Sequence, residues 1–306
     1  MISLEAEGIA LCLEPERGGK ITSLVGVGTV VSREWLESGV SRLVGCADEG
    51  VEFDAGDMCG WDEMMPSIAP CRYPGSEIEL PDHGELWRKG WDITAQSANS
   101  VSTRVAGDAL AYVFERTLTL GANSLRIDYR VSTEVGDDLY FLWAAHPLFA
   151  QRSSTRVTLG HRPTSLVRYG DPTSGPIVAW PNNGVSVESD LSAGASQKFF
   201  LTPGSEDVAV SLVDGEGPSL TMRWRRSDVP YIGLWLDNRQ YSRHPVVAIE
   251  PTNWTDDALD SAVAARGQWV VAKGLDRVWS IEVVVATKCD DANDEIAPTL
   301  KRSDVR

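Results

Sequence analysis

Leu125-Arg126-Ile127-Asp128-Tyr129-Arg130-Val131 alternates apolar and charged residues without a break. A period of two puts Leu125, Ile127, Tyr129 and Val131 on one face of an extended chain and the charges on the other, the pattern of a strand with one wet face. The flanking sequence repeats the theme. Short runs rich in Val, Ile, Thr and aromatics occupy Leu110–Leu120, Ser124–Val135, Leu139–Phe149, Thr155–Leu159, Val208–Val213, Ser219–Trp224, Tyr231–Asp237, Val246–Glu250 and Val278–Thr287. Turn signals such as Gly121-Ala122-Asn123, Gly136-Asp137-Asp138 and Asp214-Gly215-Glu216-Gly217 separate them. Regularly spaced short strands with Gly/Asp turns predict an all-β, antiparallel sandwich with few short helices.

Helical signals are sparse. Asp256–Arg266 is the main candidate, with Thr255 as N-cap, two aspartates in the first turn and Gly267 as terminator. A weaker one lies at Ser32–Ser38. With no βαβ alternation, internal repeat or linker, the expectation is one domain over residues 1–306, its polar end 290–306 frayed. The length exceeds the roughly 200–250 residues common for single β domains, which implies elaborate loops.

The net charge of −16 argues against nucleic acid and anionic membranes as partners. No apolar run reaches the length of a membrane helix. Met1–Glu5 lacks the basic and apolar regions of a secretory signal, and the five cysteines form no CxxC pair, so free thiols in a cytoplasmic setting are expected. Asn253-Trp254-Thr255 matches a glycosylation acceptor that such a setting leaves idle. No GxSxG elbow, Walker A loop or HExxH motif occurs, and His161 and His244 lack ligand spacing, so neither metal nor cofactor is expected.

Asp57–Trp91 is dense in Pro, Gly, Trp and charge with little periodicity. Long irregular segments in compact domains are usually functional. It contains His83, in Pro81-Asp82-His83-Gly84-Glu85-Leu86-Trp87, where the glycine admits close approach of a ligand. His146 follows an apolar run and precedes Pro147, read as the end of a strand. Glu250 ends the run Val246–Ile249 and precedes Pro251; a carboxylate there is either a solvated strand exit or a general base. Eleven tryptophans supply core bulk, and Trp61, Trp87, Trp91 and Trp254, among polar and turn residues, could stack on sugar rings. Asp62-Glu63 could suggest glycosidase carboxylates, but neighbours on an extended chain point apart.

Several segments together resemble the galactose mutarotase-like superfamily of aldose 1-epimerases and hexose-6-phosphate mutarotases. Glu14–Leu24 is similar to its opening strand pair, and Cys59-Gly60-Trp61-Asp62-Glu63-Met64-Met65-Pro66 to its Gly-Trp-Asp-Glu-Met-Phe-Pro loop. Pro81–Trp87 resembles the motif of the first histidine, His146-Pro147-Leu148-Phe149 that of the second, and Ile249-Glu250-Pro251 the glutamate motif, in the family's order. The resemblance implies a β-supersandwich and an isomerase that interconverts the α and β anomers of a hexose, plain or acid-substituted. It makes His146 the acid protonating the ring oxygen, Glu250 the base taking the C1 hydroxyl proton, and His83 a hydrogen-bonding support. Trp61, Asp62, Glu63, Arg72, Trp87 and Asp237 are the substrate-binding candidates. Arg72, Arg88 and Lys89 either hold an anionic C6 group or are solvated cations. Ala-Ala-His-Pro-Leu-Phe replaces the family's usual context of the second histidine. The competing readings are a non-catalytic sugar-binding or sensing protein on the same scaffold and, ranked last, a carbohydrate lyase or hydrolase. The partner is a small sugar, and the chain is monomeric or a homodimer.

Overall fold

The computed structural model describes residues 1–28, 32–37, 53, 58–133, 138–169, 180–215 and 217–286. The expected frayed end, 290–306, lies outside them. Two antiparallel sheets dominate. The larger runs, edge to edge, through Ile2–Glu5, Ile9–Glu14, Lys20–Gly26, Trp61–Met64, Ala144–Ala150, Val246–Thr252, Tyr231–Asn238, Ala195–Thr202 and Ser165–Arg168. The second runs through Thr155–Leu159, Asp207–Asp214, Ser219–Arg225, Asp276–Ala286, Ser124–Ser132, Val113–Leu120, Ser100–Ala106 and Asp92–Gln96. The quoted alternation holds: Leu125, Ile127, Tyr129 and Val131 are buried, and Arg126 and Arg130 are exposed.

One apolar core fills the space between the sheets. Its centre is aromatic. Trp279 packs against Tyr129, Trp143 and Trp269 with ring centroids 5.3, 4.9 and 5.0 Å away. Here tryptophan is structural bulk, as Trp61 and Trp91 also prove to be: both lie in this core. A polar cluster crosses it near this centre. Arg116, fully buried on the second sheet, places Nη1 3.0 Å from Oε1 of Glu63 on the first. The Tyr129 hydroxyl donates to the same oxygen at 2.9 Å and Trp143 Nε1 to Oε2 at 3.0 Å. The guanidinium also donates to the Gly19 carbonyl and lies over the Trp91 ring. Burial lifts Glu63 to about 7, against the opposing pull of Arg116 and the three donors.

Local expectations needed revision. Leu139–Phe149 is two strands, Leu139–Phe141 and Ala144–Ala150, split at Leu142-Trp143 so that the first pairs with Trp269–Val271 and the second joins the large sheet. The Ser32–Ser38 helix is absent from the described part of that stretch: Arg33–Glu34 is a short strand and Leu36 bridges Phe149. The other helix spans only Leu259–Ala265, with Ala258 rather than Thr255 at its N-cap. Asp256 instead accepts the Ala258 N–H and the Ser261 hydroxyl. Arg266 closes the helix in the left-handed region (φ 59°). A Cβ on Gly267 would lie 2.1 Å from the Trp254 ring, so glycine is required there for packing. Asn253 is buried, its side chain bonded to the Trp143 N–H and the Phe141 carbonyl, which closes it to a glycan whatever the compartment.

Removing the cation of the core ion pair strands a buried carboxylate. Arg116→Met is expected to cost about 3–5 kcal/mol at pH 8. The loss should shrink toward pH 5, because the variant's Glu63 binds a proton in the folded chain more readily than in the unfolded one. Urea unfolding at the two pH values measures this; a loss independent of pH would contradict the charge argument.

Candidate active site

Three strands at the middle of the large sheet are buried on both faces. Trp61–Met64, Ala144–Ala150 and Val246–Thr252 are buried almost throughout. On Trp61–Met64 the alternation sends Trp61 and Glu63 into the sandwich and Asp62 and Met64 to the opposite face. His146 pairs with Asp62 and therefore shares its face. On the other side, Ala144 pairs with Thr252 and Leu148 with Ala248. The two pairs are four positions apart on both strands, so the register places His146 opposite Glu250. Cross-strand neighbours lie roughly 5 Å apart. Glu250 in turn pairs with Gly233, and Gly233 with Phe200. Asp62, His146, Glu250, Gly233 and Phe200 thus form one row across five strands.

Both prolines lie inside their strands rather than ending them: Pro147 pairs with Trp61 and Pro251 with Ile232. Neither has an N–H. Between the Ala144–Thr252 and Leu148–Ala248 pairs the two strands make no regular pairing.

His83 arrives from the irregular segment. Its N–H donates to the Ile68 carbonyl at 2.6 Å, and Gly84 bridges Met65. His83 and Gly84 both have positive φ, 55° and 68°. A Cβ on Gly84 would meet the Met65 carbonyl at 2.0 Å, so only glycine fits. The His83 ring stacks on Phe53 (4.1 Å) and stands 6.0 Å, edge-on, from His146. Its Nδ1 lies 2.9 Å from Asp82 Oδ1. Trp87 and His146 both meet Phe53 edge-on, and Trp235 is tilted 6.3 Å from His146. The result is an aromatic wall of Phe53, Trp87 and Trp235 around two imidazoles and a carboxylate.

Electrostatics set the proton affinities. Burial holds His146 well below the usual imidazole value, and positive charge on His83, Lys198 and Lys20 pushes the same way. Burial raises Glu250, against the pull of Lys198. For Asp82 burial alone would raise the value, but His83, the Phe53 N–H and Arg88 together outweigh it and hold the carboxyl low. His146 Nδ1 and Glu250 Oε1 are buried and make no hydrogen bond among the described residues. Two polar atoms left open on one face suit a polar ligand.

Some expected binding residues stand elsewhere. Trp61 and Glu63 face the sandwich interior, as the alternation requires. Arg72 projects from the Cys71–Arg72/Glu79–Leu80 hairpin, more than half exposed, and pairs with Glu77 and Glu79. Asp237 shares the site's face but is fully buried and spends both oxygens on the N–H groups of Gln240, Tyr241 and Ser242, fixing a turn. Asp62 is on the site's row and ion-paired with Lys20 at 2.5 Å. Arg88 lies over the Trp87 ring and Lys89 pairs with Asp108. Lys198 was not anticipated: Nζ is 2.8 Å from Glu250 Oε2 and 2.9 Å from Asp257 Oδ1. A lysine directly before the apolar run Phe199-Phe200-Leu201 was the available signal, since an ammonium drawn into a buried strand needs a partner.

No family model matches the chain, and no curated protein matches it. Solved structures do. A galactose mutarotase related enzyme from Lactobacillus acidophilus superposes with TM-score 0.72 at 15% identity, over 94% of this chain and 98% of that one. The fold is galactose mutarotase-like. A putative aldose 1-epimerase from Escherichia coli K12 gives TM-score 0.70 at 14% identity (93% and 98% covered). A galactose mutarotase-like protein from Lactobacillus casei gives 0.68 at 18% (94% and 100%). Identities this low make the fold the shared property, and the site must be argued from its own geometry.

Gly84→Ala forces either the backbone carrying His83 or the Met65 carbonyl to move. A stability loss of about 1–3 kcal/mol is expected, together with loss of the His83–Phe53 stacking, read from the His83 ring resonances. A variant as stable as the parent would show that the turn is not constrained.

Proposed function

We propose that the protein is an aldose 1-epimerase acting on a hexose. The observation that carries this reading is the cross-strand placement of His146 and Glu250 on one aromatic-walled face, with His83 beside them. Mutarotation needs one proton delivered to the ring oxygen and one removed from the C1 hydroxyl, with the roles reversed on closure. Glu250 Oε1 takes the hydroxyl proton and His146 protonates the ring oxygen as the C1–O5 bond breaks. The open-chain aldehyde turns about C1–C2. Closure from the other face returns both protons and yields the opposite anomer. His83 hydrogen-bonds the sugar, and Phe53, Trp87 and Trp235 offer apolar faces to its C–H groups.

The depressed affinity of His146 makes its imidazolium both scarce and strongly acidic. Turnover runs through the state in which the His146–Glu250 pair shares one proton, so kcat/KM follows a bell in pH. Because burial raises Glu250, rate is lost on the acid side at a pH above the ordinary glutamate value of about 4.3.

NMR saturation exchange between glucose or galactose anomers tests the reading. Glu250→Gln and His146→Ala should each slow exchange by about 10²–10⁴-fold with the fold intact, and His83→Ala should mainly raise KM. If neutral and charged hexoses bind but none exchanges faster than in buffer, the sugar-binding reading replaces this one.

A further inference from the structure

Glu250 and Lys198 are two strands apart, with Tyr231–Asn238 between them. They meet because the intervening residue is Gly233. A Cβ there would approach the Glu250 Cβ to 3.0 Å and Oε2 to 3.1 Å. Glycine leaves a gap through which the carboxylate lies over the middle strand to reach Nζ. On its far side Lys198 is held by Asp257 Oδ1, and it lies over the Phe200 and Tyr169 rings at 5.3 and 5.9 Å. Asp257 is itself fixed, its carbonyl accepting the N–H groups of Ile68 and Ala69. One Glu250 oxygen is thereby pinned while the other, Oε1, stays open and buried.

We propose that Lys198, admitted by Gly233 and anchored by Asp257, is a positioning residue that holds Glu250 as an oriented, ionised base with only Oε1 turned to the ligand. This deepens the epimerase reading and rests on it for the word base. The geometry itself does not depend on the reaction. An isolated carboxylate this deeply buried would keep its proton and could not accept one from a hydroxyl. The charged and titratable groups around it are Lys198 and Asp257 on one side, His146 across the strand, and His83 above. Lys198 and protonated His83 favour the ionised form, and Asp257 opposes it.

The two partners of Glu250 therefore predict opposite signs. In protein labelled with 13C at the glutamate carboxyls, the Glu250 resonance is the one lost in Glu250→Gln. Its titration midpoint should rise by more than one unit in Lys198→Met, fall in Asp257→Asn, and return most of the way in Lys198→Arg. Where anomer exchange is measurable, the acid limb of kcat/KM should move with it, about tenfold in rate per unit on the acid side. A folded Lys198→Met whose midpoint stays at the parent value overturns the proposal, as does a fall of the same size in both variants. If Lys198→Met does not fold, a midpoint in Asp257→Asn that stays or rises overturns it instead. Midpoints that shift as expected in a protein that exchanges no anomer sustain the electrostatic role and remove only the epimerase reading.

Discussion

A strand buried on both faces can hold a charge only against another charge or a set of donors, and this constraint organises the centre of the large sheet. Asp62 and Glu63 meet it in opposite directions. Glu63 points into the sandwich and is matched by Arg116, Tyr129 and Trp143. Asp62 points to the other face and is matched by Lys20. The inner set ties the two sheets together directly behind the row that carries His146 and Glu250, so the candidate chemistry rests on a backing cross-linked by polar contacts as well as packed. Glu250 obeys the same rule with Lys198, but only one of its oxygens is matched.

Much of this was legible in the residues. Period-two alternation and Gly/Asp turns located most strands of the second sheet and the Tyr231–Asn238 and Val246–Thr252 strands of the larger one, because strand burial is read from side-chain parity; Trp61–Met64, Ser165–Arg168 and Ala195–Thr202, with weaker alternation, were not picked out. The convergence of His83, His146 and Glu250 followed from resemblance rather than from pattern, since cross-strand register between segments a hundred residues apart leaves no local trace. Parity could have corrected Trp61 and Glu63: if Asp62 faces the site, its two neighbours cannot. Arg72 and Asp237 were unreadable for a different reason, as an arginine on an exposed hairpin and an aspartate capping a turn look alike in sequence to ligand-binding ones. Lys198 escaped because its partner lies two strands away across a glycine.

The three solved structures named above have fewer than one residue in five in common with the chain. What persists at that distance is the sandwich, which fits a fold whose stability comes from apolar alternation and many interchangeable core side chains. The site's special features lie in few positions: a histidine and a glutamate each followed by proline, a histidine followed by an obligatory glycine, and a glycine between a carboxylate and a lysine.

The two prolines have a mechanical consequence. A wide sheet resists shear through its ladder, and its innermost amides are ordinarily the last to exchange with solvent. Here the ladder is perforated at its middle, where Pro147 and Pro251 supply no donors and the regular pairing between their strands lapses. The two halves of the sheet are stitched above and below this slit but not along it. The spacing between imidazole and carboxylate is consequently governed by side-chain packing from both faces, a softer spring than a row of peptide bonds.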